Sequence, residues 1–348
     1  MLKVRGTRPV LLGVVGLAVA GLAACSSPPS APKASFTSAS PTPSPTKTVA
    51  PVVAVAPASV LSGRPGAKNG PVLVVKMDNT YLSEPHFGIK DADVVYMEQV
   101  EGGLSRYAVV FSSVLPAKIG PVRSARISDI ELFEPYGRVA FAYSGAQPRL
   151  ITLLHQANLA VVAADDDITG YARDYSRRAP DNLFAYPTTL LKRAGGSVPA
   201  KDVGFRFATA PQPGGTPAAA VTTGFPATRV GFTWSAAQRR WLATMNGSAT
   251  HAAENGEQLG GTTVIIQYVT LSRTDFLDSL GNYTPLSTTV GSGKALILRD
   301  GKAYDATWLR SGKTAVTHWR VGGKDFPLAP GQVWVLLIDK YKPAVVTP

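Results

Sequence analysis

The chain has 348 residues, a formal net charge of +12 and a single cysteine, Cys25. With one cysteine near the N-terminus, the remainder of the chain has no disulfide bond, no cysteine nucleophile and no cysteine-ligated metal. The excess of Lys and Arg over acidic residues favours anionic partners.

The N-terminus has the three parts of a bacterial lipoprotein signal. A basic start is followed by an apolar run at residues 10–20 and by the sequence LAAC at residues 22–25. This lipobox predicts that residues 1–24 are removed as a signal peptide and that Cys25 receives diacylglycerol and further acyl chains such as palmitate. Because two or more acyl chains make a stable anchor, we expect lipid anchoring at the extracytoplasmic face of the cell membrane.

Residues 25–62 are rich in Ser, Pro and Ala. Such a segment buries too little apolar surface to fold, so it predicts a disordered, semi-extended tether. Outside the cytoplasm, the basic charge of the chain would meet anionic lipid head groups or wall polymers. Nucleic acid is therefore not an expected partner.

Residues 63–207 have the pattern of an α/β domain. Strand-like apolar runs alternate with segments of helical periodicity. The predicted strands are at residues 72–75, 94–97 and 107–111, and the predicted helices at 128–134, 148–156 and 188–193. A linker rich in Pro, Gly and Ala follows at residues 208–220.

Residues 221–348 are rich in short β-type runs, which are predicted at 240–245, 262–269, 294–299, 314–320 and 332–338. Asn246-Gly247 and Asp300-Gly301 are sequences typical of two-residue hairpin turns. The predicted fold class is α+β, with the N-terminal α/β domain followed by a smaller, β-rich antiparallel domain.

Several ordered sequence blocks are shared with a known family. They are KMDN at 76–79, DVVY at 93–96, VEGGLSR at 100–106, KIGPVRSAR at 118–126 and RRAPDNL at 177–183, with GEQL at 256–259 and PGQVW at 330–334 in the second region. These blocks resemble the YerB-like lipoproteins, a two-domain family of unknown function. The resemblance implies an envelope protein linked to peptidoglycan synthesis through penicillin-binding proteins, and it carries no assigned biochemical activity.

Charged residues concentrate near predicted strand ends in the N-terminal domain. Arg123 and Arg126 precede a predicted helix, where guanidinium forks and free backbone amides suit a carboxylate or phosphate. The alternative is that these arginines pair internally with Glu101 or Asp78. The candidate ligand-binding residues here are Asp78, Asn79, Glu98, Glu101, Arg106, Arg123 and Arg126.

A second group of candidates lies in the loop at residues 173–182. Its mixed charges suit an anion or sugar, whereas a network of helix caps and ion pairs is the alternative, because Asp and Asn are favoured at caps and turns. The candidates are Arg173, Asp174, Arg177, Arg178, Asp181 and Asn182.

Known catalytic signatures are missing from the sequence. It has no H-E-x-x-H, P-loop or G-x-S-x-G motif, and S-x-x-K occurs only in the predicted tether. No cofactor and no metal site is predicted.

The leading hypothesis is a non-enzymatic binding or accessory module in cell-envelope (peptidoglycan) biogenesis. Its partner would be a penicillin-binding or other wall-synthesis protein, or an anionic wall polymer. The alternative is an enzyme that acts on a glycan or phosphorylated envelope substrate through Arg side chains and a carboxylate pair drawn from Asp78, Glu98, Glu101 and Asp129.

Overall fold

The computed structural model describes residues 58–278 and 280–348. The predicted signal peptide, Cys25 and the tether up to residue 57 lie outside the described residues. The α-helices in the described part are short, and they are α1 (Ser128–Phe133), α2 (Pro148–Gln156) and α3 (Pro187–Arg193). No helix of this part is long and apolar enough to cross a membrane.

Strands make up most of the remaining regular structure. The first seven are β1 (Leu73–Asp78), β2 (Val94–Gln99), β3 (Ser105–Phe111), β4 (Val139–Ala142), β5 (Leu159–Val161), β6 (Tyr171–Arg173) and β7 (Leu183–Ala185). The next seven are β8 (Thr216–Pro217), β9 (Ala220–Phe225), β10 (Thr228–Ser235), β11 (Arg240–Met245), β12 (Ser248–Ala249), β13 (Gly260–Gly261) and β14 (Thr263–Leu277). The last seven are β15 (Tyr283–Thr288), β16 (Gly291–Arg299), β17 (Lys302–Arg310), β18 (His318–Val321), β19 (Lys324–Asp325), β20 (Val333–Asp339) and β21 (Val345–Thr347).

One large mixed sheet runs through both predicted domains, in the order β19-β18-β17-β16-β14-β20-β2-β3-β1-β4-β5. Strand β20 lies at its centre and pairs in parallel with β14 on one side and with β2 on the other. The sequence VWVLLI in β20 is apolar throughout and buried, as a strand covered on both faces requires. The sheet thus continues between residues 63–207 and residues 221–348.

A separate antiparallel sheet lies in the C-terminal region, in the order β12-β11-β10-β9-β21 with β13 also on β11. Both predicted hairpin turns are present, and Asn246, Gly247, Asp300 and Gly301 all have positive φ as a type I′ turn requires. The predicted fold class is confirmed: a mixed α/β sheet with few helices in the N-terminal region, and an antiparallel β sheet in the C-terminal region.

The folded region begins before the predicted boundary at residue 63. The Ser59 and Ser62 hydroxyls donate to the buried Asp93 carboxylate at 3.3 and 2.5 Å, and Leu61 is fully buried in the core. A buried carboxylate requires hydrogen-bond donors, and these serines supply them. Residues 59–62 therefore pack against the folded region, in contrast to the prediction that they belong to the tether.

One predicted strand is shorter than its sequence pattern. Residues 314–320 are predicted to be a strand, but β18 begins only at His318. The guanidinium of Arg310 donates to the Lys313 carbonyl, and Ala315 N donates to the Gly312 carbonyl at 3.2 Å. These bonds hold a turn where the apolar pattern alone predicted extended chain.

Candidate functional site

Three neighbouring strands bring the N-terminal charged residues together. Strand β3 lies between β1 and β2, and its residue Arg106 is directly opposite both Asp78 on β1 and Glu98 on β2. Directly opposite residues share a face of the sheet, and Lys76 shares it too because side chains alternate along β1. The alternation therefore gathers two cations and two carboxylates at one end of these strands.

Lys76 is the centre of the first part of this charge network. Its ammonium donates to Glu98 and, at 2.8 Å, to Asp129 of α1, and all three side chains are buried. Burial by itself lowers the pKa of Lys76, but Asp129 and Glu98 outweigh burial and raise it. Burial raises the pKa of Asp129 to about 7 despite the opposing charge of Lys76, and the charge of Glu98 adds to this rise.

Asp78 is the centre of the second part. One carboxylate oxygen accepts from Arg123 Nε, and the other lies 3.5 Å from Arg106 Nη1 and accepts from Thr80 N at 2.7 Å. Burial opposes ionisation of Asp78, yet the two guanidinium groups hold its pKa below the ordinary value. The neighbouring Asp181 has the opposite shift, since burial and the charge of Asp78 raise its pKa.

Glu101 forms the third part, in the tight connection between β2 and β3. Its Oε2 accepts from Arg126 Nη2 at 2.6 Å and from Nε at 2.9 Å, and its Oε1 accepts from Thr284 of β15. Burial opposes ionisation here as well, but Arg126 lowers the pKa of Glu101. Both arginines therefore form the internal ion pairs that the sequence analysis left open: Arg123 with Asp78, and Arg126 with Glu101.

The loop at residues 173–182 is only partly connected to this network. Asp181 reaches it, and Arg173 donates to Asn182 at 2.7 Å within the loop. Arg177 donates to the carbonyls of Ser83 at 3.1 Å and Pro85 at 2.7 Å, which ties the loop to residues 81–85. Asp174 and Arg178 are not drawn into the network: Asp174 lies 3.9 Å from Lys118 at the surface, and Arg178 is exposed.

The two loops joined by Arg177 present large exposed side chains. Tyr81 is 84% exposed, Leu82 70% and Tyr175 86%. A shallow cleft of about 580 Å³ lies beside Tyr81 and Leu82, with Pro85 and Ala252 in its lining. We call Tyr81, Leu82 and Tyr175 the loop surface.

Sequence reasoning missed two members of the charge network and named a third only in passing. Lys76 carries a recognisable signal, a cation within the otherwise apolar run LVVKM of a buried strand. Thr284 carries no such signal, because only tertiary structure brings it to Glu101. The sequence predicts a role for Asp129 only as a member of the carboxylate pair in the enzyme alternative. No group of three metal-ligating side chains is found among residues 58–278 and 280–348.

Comparison with known proteins matches both regions of the chain. Residues 61–200 match the N-terminal domain, and residues 221–335 the C-terminal domain, of the "Protein of unknown function (DUF3048)" family. A Bacillus subtilis (strain 168) protein named "Putative lipoprotein YerB" is 35% identical over 78 residues, which is 22% of this chain and only 23% of that protein.

The fold is also similar to a solved structure. The crystal structure of the YerB protein from Bacillus subtilis aligns with a TM-score of 0.71 and 19% sequence identity, over 84% of this chain and 99% of that chain. The two family matches cover most of the chain and agree with the resemblance of the sequence blocks. The chain therefore belongs to the DUF3048 family of YerB-like proteins.

Proposed function

We propose that the protein is a lipid-anchored extracytoplasmic lipoprotein and that its folded region is a non-enzymatic binding module in cell-envelope (peptidoglycan) biogenesis. The anchor is supported by the LAAC sequence at residues 22–25 and by the name of the Bacillus subtilis relative. The binding function is supported mainly by the loop surface. Its exposed side chains lie on loops that are attached to a buried, internally paired charge network.

The charge network supports a scaffold role for the acids of this region. Asp78 and Glu101 are bound by arginines, while Glu98 and Asp129 share Lys76. Breaking such buried pairs is costly, so they hold the attached segments in one geometry. Catalysis by these carboxylates stays a prediction from sequence.

The contacts of two side chains, His86 and Arg177, connect the charge network to the loops of the loop surface. His86 Nε2 lies 2.7 Å from the Asp78 carbonyl and 3.1 Å from Ser83 Oγ, which ties residues 83–86 to the end of β1. Arg177 then ties the loop at residues 173–182 to the same segment. These hydrogen bonds thus fix the loops that carry Tyr81, Leu82 and Tyr175. A surface that is already ordered loses less entropy on binding.

The chemistry of the loop surface suits a protein partner. Tyrosine supplies large contact area at low entropic cost, and interface hot spots are enriched in Tyr and Arg. The predicted tether, if extended, gives a reach of roughly 100 Å from the membrane. A penicillin-binding or other membrane-bound wall-synthesis protein would lie within this reach.

In-cell cross-linking followed by affinity recovery tests this function. The full chain would be compared with a Tyr81→Ala/Leu82→Ala variant and with a matched control, Leu153→Ala/Ile168→Ala, which truncates two other exposed apolar residues. We expect wild type and control to recover the same wall-synthesis protein and the loop-surface variant to lose it at equal expression. Recovery of that partner by all three proteins, or by none, would contradict the proposal.

A further inference from the structure

A large open cleft lies where two strands of the C-terminal region diverge. Strand β14 pairs with β16 as far as Gln267 opposite Ala295, and from Thr270 onward it pairs with β15 instead. The first residues of β16 are thereby left without β14 as a neighbour. The resulting cleft has a volume of about 1220 Å³, and the segment between β20 and β21 forms another wall.

Positive charge dominates the lining of this cleft. Lys294, Thr307 and Arg320 are directly opposite one another across β16, β17 and β18, so their side chains form one row on the same face. Lys340 lines the cleft from the segment that follows β20, and Asp305 is the acidic residue of the lining. The lining therefore contains three cationic side chains and one carboxylate.

Two of these cations have no counter-ion within the described part of the chain. Neither Lys294 nor Lys340 forms an ion pair there, whereas Arg320 uses its Nε to bind Asp325 at 3.2 Å. Lys340 Nζ lies 5.2 Å from the centre of the Tyr341 ring, and Tyr341 is 79% exposed. The two lysines are free to bind an added anion.

The rest of the lining is rich in hydroxyl groups. Four hydroxyl-bearing residues line the cleft, Thr270, Thr288, Ser292 and Thr307, together with several glycines. At Gly293 an added Cβ would lie 2.6 Å from Trp308 Nε1, so a glycine is required for Trp308 to pack beneath β16. Thr307 lies between Lys294 and Arg320 in the row across the three strands. A lining that combines hydroxyl groups with cations matches a ligand that carries both hydroxyl and acidic groups.

We propose that this cleft binds a segment of an anionic, hydroxyl-rich polymer, that is, a sugar or polyol chain bearing phosphate or carboxylate groups. Its volume exceeds that of an ordinary small-molecule pocket, and its cations lie on separate elements, with Lys294 and Arg320 on the non-adjacent strands β16 and β18 and Lys340 on the segment after β20. This spread suits a chain segment better than a single phosphate ion. The inference goes beyond the proposed function because it assigns a second surface. It rests on the proposed function only for the location of the protein, because the cell envelope is where such polymers would be close to it.

Binding of defined polymers to the detergent-solubilised full chain tests the inference. The probes are poly(glycerol phosphate), polygalacturonate and neutral dextran, with inorganic phosphate as the single-anion probe, and the readout is isothermal titration calorimetry. We expect at least one of the two anionic polymers to bind and to weaken as salt screens the charges, while dextran and inorganic phosphate bind at least tenfold more weakly. The stronger anionic probe identifies the acidic group.

Matched lysine variants locate the site. Lys294→Gln/Lys340→Gln is expected to weaken polymer binding at least tenfold, whereas Lys192→Gln/Lys201→Gln, with the same charge change on exposed residues of the N-terminal region, is expected to change it less than twofold. Equal weakening by both variants, or equal binding of dextran, would overturn the inference, as would a lack of binding by both anionic polymers. Tyr81→Ala/Leu82→Ala should bind the polymer normally, which separates this test from that of the proposed function.

Discussion

The ammonium of Lys76 lies 2.8 Å from a carboxylate oxygen of Asp129, and both side chains are completely buried. The same ammonium also binds Glu98, so one cation serves two carboxylates inside the domain. A buried charge is tolerated only when it is paired and hydrogen-bonded. Single substitutions in this network are therefore expected to have large effects on stability.

Removal of the shared cation should be strongly destabilising. Lys76→Met leaves Glu98 and Asp129 facing each other without a counter-charge, and we expect the free energy of unfolding to fall by about 3–5 kcal/mol. Urea denaturation at neutral pH measures this change. The neutral triple variant Lys76→Met/Glu98→Gln/Asp129→Asn should recover much of this loss. If Lys76→Met alone were as stable as wild type, the prediction would be contradicted.

Asp129 should make stability depend on pH between about 4 and 7. Its pKa of about 7 in the folded protein lies above the ordinary 3.8, so the folded state binds a proton that the unfolded state has released. The resulting stabilisation is full below pH 3.8 and is lost as pH rises through 7. Wild type should therefore lose stability relative to Asp129→Asn by up to about 1.4 kcal/mol per pH unit.

Urea titrations of both proteins from pH 4 to 8 measure this slope. In the wild type, Asp129 Oδ2 accepts from Arg126 N at 2.7 Å. Replacing one carboxylate oxygen by an amide NH2 in Asp129→Asn therefore adds an offset at every pH and leaves the slope unchanged. Parallel curves for the two proteins would contradict the raised pKa.

Asp78 should show the opposite pH dependence. Arg106 and Arg123 lower its pKa, so its stabilisation is present above pH 3.8 and is lost as pH falls through the lower folded-state value. Asp78→Asn should cost about 3 kcal/mol at pH 7, because it leaves the buried Arg106 without its partner, and the difference from wild type should shrink below pH 3.8. Thermal unfolding between pH 3 and 7 measures it. Asp275→Asn is a control that should stay close to wild type, because Asp275 is exposed and forms no ion pair within the described part of the chain.

Gly293 should be intolerant of a side chain. A Cβ there would lie 2.6 Å from Trp308 Nε1 and 3.0 Å from the Tyr268 carbonyl, so Gly293→Ala forces these groups apart at a cost of about 1–3 kcal/mol. Chemical denaturation followed by tryptophan fluorescence would report the loss of stability. Gly312→Ala, where an added Cβ meets nothing within 4 Å, is the matched control, and equal effects of the two substitutions would refute the steric argument.

Local patterns predicted most of the elements. The apolar runs at 94–97 and 107–111 became β2 and β3, and the helix predicted at 148–156 coincides with α2. Asn246-Gly247 predicted its turn because the left-handed backbone of a type I′ hairpin is a property of those two residues. Signals of this kind depend on neighbours within a few positions.

Local patterns of this kind could not predict which charged residues of the site form ion pairs with one another. The sequence marked Asp78, Glu101, Arg123 and Arg126 as unusual, but it did not distinguish a ligand from an internal partner. Arg123 meets Asp78 across 45 positions and Arg126 meets Glu101 across 25. Lys76 was missed because its two partners come from β2 and α1, which only the tertiary structure brings together.

The sequence by itself determined the family, the alternation of buried strands and the turns that join neighbouring hairpins, because these follow from residue types at short spacing. It also predicts the lipid anchor at Cys25. Only the tertiary structure decided that β20 lies between β2 and β14, with Trp334 opposite Val95, and that β14 and β16 diverge to open the basic cleft. An apolar strand can pair with any other apolar strand, and its neighbours are selected by the packing of the whole sheet.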